Sequence, residues 1–163
     1  MSAALQLPLI RRGPWVRVRD GNDLGRSIFD RHYSRRRYRD GLNPKLYVGP
    51  GEKMVLVHET GRALFVWRKF IDASGQRGVN CAVFRNEGAG ISSELIREAD
   101  DCAWRRWPGE RLYTYVRPDA VCSTNPGYCF LAAGWHHVGW TQGGLRILAI
   151  LCKSGQSPAP EGE

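Results

Sequence analysis

From Val79 the chain reads VNCAVFRNEGAGISSELIREADDCAWRRWPGE, a β-rich run, a glycine-rich turn and a helical pattern with almost nothing between them. Val79 to Phe84 has the composition of a buried strand. Leu95, Ile96, Ala99, Cys102 and Ala103 recur at helical spacing on one face, and Pro108 and Gly109 end the pattern. Ser92 and Ser93 stand where N-caps are expected. A strand that turns through glycines straight into an amphipathic helix belongs to a chain of the α/β (α+β) class.

The flanking sequence adds to that unit. WVRVRD, Trp15 to Asp20, alternates like a half-exposed strand, and DGNDLGRSIFDRHY offers caps before Leu24, Ile28 and Phe29 at helical spacing. Periodicity disappears from Ser34 to Gly51, which predicts a long loop, and GPGEK within and after it is a turn. KMVLVHETGRALFVWRKF predicts a hairpin about ETGR. RLYTYV is a strand, NPGYCFLAAGW a short helix closing near Gly134, and GLRILAILC a last strand. There is no internal repeat. A length of 163 residues suits one domain, placed at 1–152, and KSGQSPAPEGE at 153–163 is a low-complexity tail expected to be disordered.

Charge narrows the partners. Lys and Arg number 24 against 16 Asp and Glu, a net +8 dominated by arginine, the side chain suited to phosphate and planar groups. This balance fits nucleic acid, a membrane surface or an anionic cofactor alike. No apolar run approaches the roughly 20 residues that span a bilayer, so a soluble protein without a membrane partner is expected. Cys81, Cys102, Cys122, Cys129 and Cys152 form an odd set without a CxxC pair, which predicts free thiols in a reducing cytoplasm.

The densest charge lies in RHYSRRRYR, with five arginines, one histidine and two tyrosines from Arg31 to Arg39. Arg31, Arg35, Arg36, Arg37 and Arg39 are candidate phosphate contacts, and such contacts make affinity salt-dependent. Arg11, Arg12, Arg17 and Arg19 repeat the theme, although charged strand faces also serve solubility. His32 at a helix end has a structural alternative as a hydrogen bonder. It is followed by Tyr33 and a long basic loop, which gives it a functional reading beside the structural one. His58, in a strand pattern, and His136-His137 are expected to be structural or solvated. The tryptophans are core by default, with Trp67 the candidate to stack a base.

Strand, helix, hairpin, strand, glycine loop, helix, strand, helix, strand is the order of the GNAT superfamily of N-acetyltransferases, which this chain resembles. RNEGAG, Arg85 to Gly90, is similar to the superfamily's Q/R-x-x-G-x-G/A loop, whose glycines bring backbone N–H groups to a pyrophosphate at a helix N-terminus. STNPGYCFLAAGW is similar to the asparagine-initiated helix that ends in Gly-aromatic. The resemblance implies acetyl-CoA or a related acyl-CoA at Arg85, Asn86, Gly88, Gly90, Ser92 and Ser93. One departure stands out: the position of the tyrosine that protonates the leaving thiolate holds Phe130, and Tyr128 lies two residues away on another helical face.

Most of 25–150 also resembles a divergent branch, the Mom family of phage DNA-modification proteins. The resemblance rests on His32-Tyr33-Ser34, on Ser92-Ser93-Glu94-Leu95, and on Tyr128, Phe130, Gly134 and Trp135. It implies modification of the adenine N6 amine in double-stranded DNA, which shields phage DNA from restriction inside the bacterial cytoplasm. It further implies iron held by His32, Tyr33, Asp119 and Tyr128, with an arginine also required; Arg85 is a candidate to contact a phosphate or serve the active site, with a surface salt bridge to Glu87 as the alternative. Reaching N6 in a duplex means extruding the base. Two alternatives stay open: a conventional acyl-CoA-dependent N-acetyltransferase acting on a small-molecule or protein amine, and a DNA-binding accessory protein that keeps the fold without the chemistry.

Overall fold

The computed structural model describes residues 13–31, 51–71, 75–118 and 127–152. His32, Tyr33, Arg35, Arg36, Arg37, Arg39, Asp119 and the tail at 153–163 lie outside the described residues, as does most of the long loop expected from Ser34 to Gly51. Among the described residues ten elements follow in order: β1 (Trp15–Val18), α1 (Asp23–Phe29), β2 (Glu52–His58), β3 (Ala63–Lys69), β4 (Val79–Asn86), α2 (Ser92–Arg106), β5 (Leu112–Val116), α3 (Tyr128–Ala132), β6 (His136–Trp140) and β7 (Arg146–Ile150). Among the described residues the strands form one mixed sheet, ordered β1-β2-β3-β4-β5-β7-β6, so the chain is a mixed α+β protein. No helix of the described residues is long and apolar enough to cross a membrane.

Each strand's composition fixes its place. Met54 through His58 are all buried, as are Ala63 through Trp67, which identifies β2 and β3 as central strands covered on both faces. They pair antiparallel, Glu52 against Lys69, in the expected hairpin. Gly51, at φ 103°, permits the close approach at its base, since a Cβ there would lie 2.6 Å from the Lys69 carbonyl oxygen. One strand has no counterpart in the sequence pattern. β6, HHVGW, lies at the sheet edge with four of its five residues exposed, and a solvated edge strand shows no apolar alternation.

The two faces of the sheet hold cores of different size. On one face α1 sets Ile28 against Val55, Val57, Leu64, Val66 and Val83, its start capped by Asn22 Oδ1 accepting from Gly25 N at 3.0 Å. On the other, α2 buries Leu95, Ile96, Ala99, Cys102 and Ala103 against Trp15, Phe65, Trp67 and Leu112, with α3 adding Phe130. Three indoles fasten α2. Trp15 Nε1 donates to Leu95 O, Trp67 Nε1 to Ala99 O and Trp135 Nε1 to Asp100 Oδ2, each at 3.0 Å. Because these donors come from β1, β3 and the chain entering β6, the helix cannot slide along the sheet without breaking buried hydrogen bonds. Trp67 is therefore core, the default reading of the tryptophans, fully buried and stacked 6.3 Å from Trp135, and it is not the residue that stacks a base.

Candidate functional site

Among the described residues β4 and β5 are the one parallel pair in the sheet, and they are joined only over Val79–Cys81 and Leu112–Thr114. The last link is Thr114 Oγ1 donating to Cys81 O at 3.0 Å. Past it, residues 82–86 and 115–116 run on unpaired with each other, opening the sheet toward the carboxyl ends of the two strands. A bulge assists: Val66 faces Val83 while Trp67 faces Cys81, so Ala82 is the extra residue that re-aims the outer half of β4. Crevices at the carboxyl ends of parallel strands are where ligands bind in open α/β sheets.

The glycine loop lies at this open end, and Asn86 shapes it. The Asn86 side chain accepts from Gly88 N at 3.1 Å and Ala89 N at 2.8 Å, and donates to Gly90 O at 2.7 Å and Ser92 Oγ at 2.9 Å. Gly88 and Gly90 have φ of 98° and 156°, and a Cβ at either would meet nothing within 4 Å, so the backbone turn alone demands glycine and the space in front is open. The helix start differs from the serine cap expected. The N-cap is Ile91, no side chain caps the first turn, and Ser92 Oγ is held by Asn86. Ser93 follows as the second helical residue.

Charge at the loop is organised by Glu87. Arg31 Nε and Nη2 hold its two carboxylate oxygens at 2.6 Å each, and Arg85 Nε reaches Oε2 at 2.6 Å. The Arg31 hydrogen bond leads in lowering the Glu87 carboxyl to about 2, burial opposes, and Arg85 adds to the lowering. Two guanidiniums on one carboxylate leave a net positive charge beside the loop. Arg85, expected at a phosphate, in catalysis or in a salt bridge to Glu87, makes that salt bridge through one donor. Arg31, expected at phosphate, ties the end of α1 to the loop across 56 residues.

The remaining candidates separate by exposure. Phe130 is buried and meets Phe84 edge to face at 6.0 Å, so it is part of the core. Tyr128, at the start of α3, is 63% exposed. Burial pushes the thiols of Cys81 and Cys129 up, which leaves neither as an activated thiolate. Of the described cysteines Cys81 and Cys102 are buried and Cys129 and Cys152 half-buried, and Cys122 lies outside the described residues. His58 is structural: Nδ1 pairs with Thr60 Oγ1 at 2.9 Å, and the ring packs edge-on to Trp15. His137 Nδ1 accepts from Arg146 Nε at 3.0 Å on the exposed edge. Of the four residues expected around iron, only Tyr128 is among the described residues, which contain no group of three or more His, Cys, Asp and Glu able to hold a metal.

What sequence reasoning missed is the Asn86 bracket and the Arg31–Glu87 link. The first had a local signal, an asparagine two residues before a glycine, which favours side-chain bonding to the turn. The second joins residues far apart in the chain and left none. Fold and site together define a mixed α+β protein with a glycine loop at the mouth of two parting parallel strands. Comparison with protein-family models, with curated proteins and with solved structures finds no match to this chain.

Proposed function

We propose that the chain is a transferase of the GNAT type that modifies the N6 amine of adenine in double-stranded DNA, in the manner of the Mom family. The observation that carries the reading is the ion pair between Arg31 and Glu87. It puts the first residue of the basic run directly on the glycine loop, at the end of the sheet where β4 and β5 part. The strand order and the parallel β4–β5 pair agree with it.

In this mechanism Arg35, Arg36, Arg37 and Arg39 neutralise phosphates and an extruded adenine enters the opening between the parting strands. The uncapped amides at the start of α2, with Ser92 and Ser93, favour an anionic cofactor or substrate group, and the helix dipole adds to the attraction. His32, Tyr33, Asp119 and Tyr128 supply the reactive groups, and the exposed phenol of Tyr128 suits that use. Imidazole, phenolate and carboxylate are a donor set that suits iron, which would supply redox and Lewis-acid chemistry. Arg85 holds Glu87 and keeps positive charge at the loop. The test is mass spectrometry of nucleosides from DNA of cells expressing the protein. A modified adenine that disappears with His32→Ala is expected, and unmodified adenine throughout overturns the reading.

One observation favours a second reading, DNA binding without chemistry. The Gly88 and Ala89 amides that would cradle a pyrophosphate already donate to Asn86. Under that reading His32→Ala and Tyr33→Phe leave biological activity intact, whereas removing arginines abolishes it and flattens the salt dependence.

A further inference from the structure

Away from the glycine loop, along the middle and later turns of α2, a cavity of about 860 Å³ lies between that helix and the β6–β7 hairpin. It falls in the size range of small-molecule sites, about 300–1,000 Å³. Trp104, Val138, Ile150 and Leu151 give it apolar walls, and Val138 and Leu151 are exposed, so the cavity opens to solvent beside them. The Trp104 ring is fixed by its Nε1 donating to Glu110 O at 2.9 Å.

The titratable lining is Arg97, Asp100, Asp101, Arg111 and His136. Asp100 is 2% exposed, and burial pushes its carboxyl well above the usual carboxylate range, so it stands in the wall as a neutral acid. Asp101 lies in the field of Arg105, a cation outside the lining that offsets its charge. Neither lining guanidinium meets a carboxylate among the described residues. Arg111 spends both terminal nitrogens on neutral acceptors, Nη1 on Arg77 O at 2.9 Å and Nη2 on Gln76 Oε1 at 3.2 Å. Arg97 spends only Nη2, on Ala132 O at 2.7 Å, and keeps Nε and Nη1 without a partner among the described residues. The next two residues after Ala132, Ala133 and Gly134, line the cavity, so that hydrogen bond fixes the Arg97 guanidinium at the cavity's edge. The lining is therefore net positive.

We propose that this cavity binds an organic anion, a carboxylate on an aromatic or alkyl body, with the carboxylate accepting from the Arg97 guanidinium and the body between Trp104 and the β6–β7 hairpin. Hydrogen bonds from a guanidinium to a carboxylate are charge-assisted and about twice as strong as neutral ones. An inorganic anion would leave the apolar walls in water, and a neutral apolar molecule would take the Arg97 donors out of water without replacing it. An amphipathic anion meets both demands. The neutral Asp100 carboxyl does not repel it, and Asp101 is the one lining carboxylate that opposes it.

Calorimetric titration of the full chain with naphthylacetate, its neutral isostere naphthylacetamide and the cation naphthylmethylamine tests the site. One saturable site for the carboxylate is expected, with the amide weaker by about tenfold and the amine weaker than the amide. Arg97→Gln should bring the carboxylate down to the affinity of the amide and leave the amide unchanged, a split that a loss of packing would not produce. Should Arg97→Gln fail to fold, Asp101→Asn on the exposed side of α2 must tighten the carboxylate by about twofold or more, and no tightening then overturns the proposal. It is overturned as well if the carboxylate shows no saturation below about 10 mM. Equal binding of the amide or the amine overturns it too, as does a folded Arg97→Gln variant that keeps the preference for the carboxylate.

Discussion

Glu87 and Asp100 are both carboxylates set in place by α2 or the loop entering it, and their surroundings push them in opposite directions. Glu87, between two guanidiniums at the open end of the sheet, is held down near 2. Asp100, behind the helix and touched by one indole donor, is held well above the usual carboxylate range by burial. Burial alone cannot distinguish a stabilised charge from a suppressed one, because the outcome depends on which donors meet the oxygens. The open end is an ionic clasp near water, and the other site is a desolvated acid among aromatic rings.

Trp135→Phe strikes the desolvated side and has the largest expected effect. It removes the donor to Asp100 Oδ2 and part of a packed ring, a loss of about 2–3 kcal/mol in denaturant unfolding. Adding Asp100→Asn should recover part of that loss, and a fully additive double variant would show that the two residues are not coupled. Since the folded-state value of Asp100 is raised, its contribution favours folding at low pH and declines as pH climbs above the ordinary aspartate value.

Glu87→Gln comes next and has the opposite sign of pH dependence. With the folded carboxyl lowered from 4.5 to about 2, its stabilisation is complete above the unfolded value and is lost as pH falls through that interval. After allowance for solvent screening, the wild type should exceed Glu87→Gln by about 1–2 kcal/mol at pH 7. The gap should close on acidification toward pH 2, and a gap independent of pH would rule out the ionic clasp. Asn86→Ala has the smallest effect, about 1 kcal/mol. Its mark is local: hydrogen exchange at Gly88 and Ala89 should speed up, while amides of β3 keep their protection.

The apolar skeleton was legible because it follows period and punctuation. The buried positions of α2 are those the spacing marks, and the β2–β3 hairpin turns about ETGR. Tertiary facts were not legible. Nothing local marks Trp67 as a donor to Ala99 rather than a platform for a base, since an indole serves either use until its neighbours are known. β6 was missed because solvent on its outer side removes the alternation that reveals strands. At the site, the glycine loop was legible as a motif, but its bracket by Asn86 and its tie to Arg31 depend on side chains meeting in space.

The hydroxyl of Thr114, resting on the Cys81 carbonyl, also sets a length. It is the floor of the gap between β4 and β5, and Asn86 stands at the rim five residues further along β4. At about 3.3 Å per residue, slightly shortened by the bulge, floor and rim are about 15 Å apart. The stretch over which β4 and β5 part thus has a fixed length, set at its inner end by one threonine.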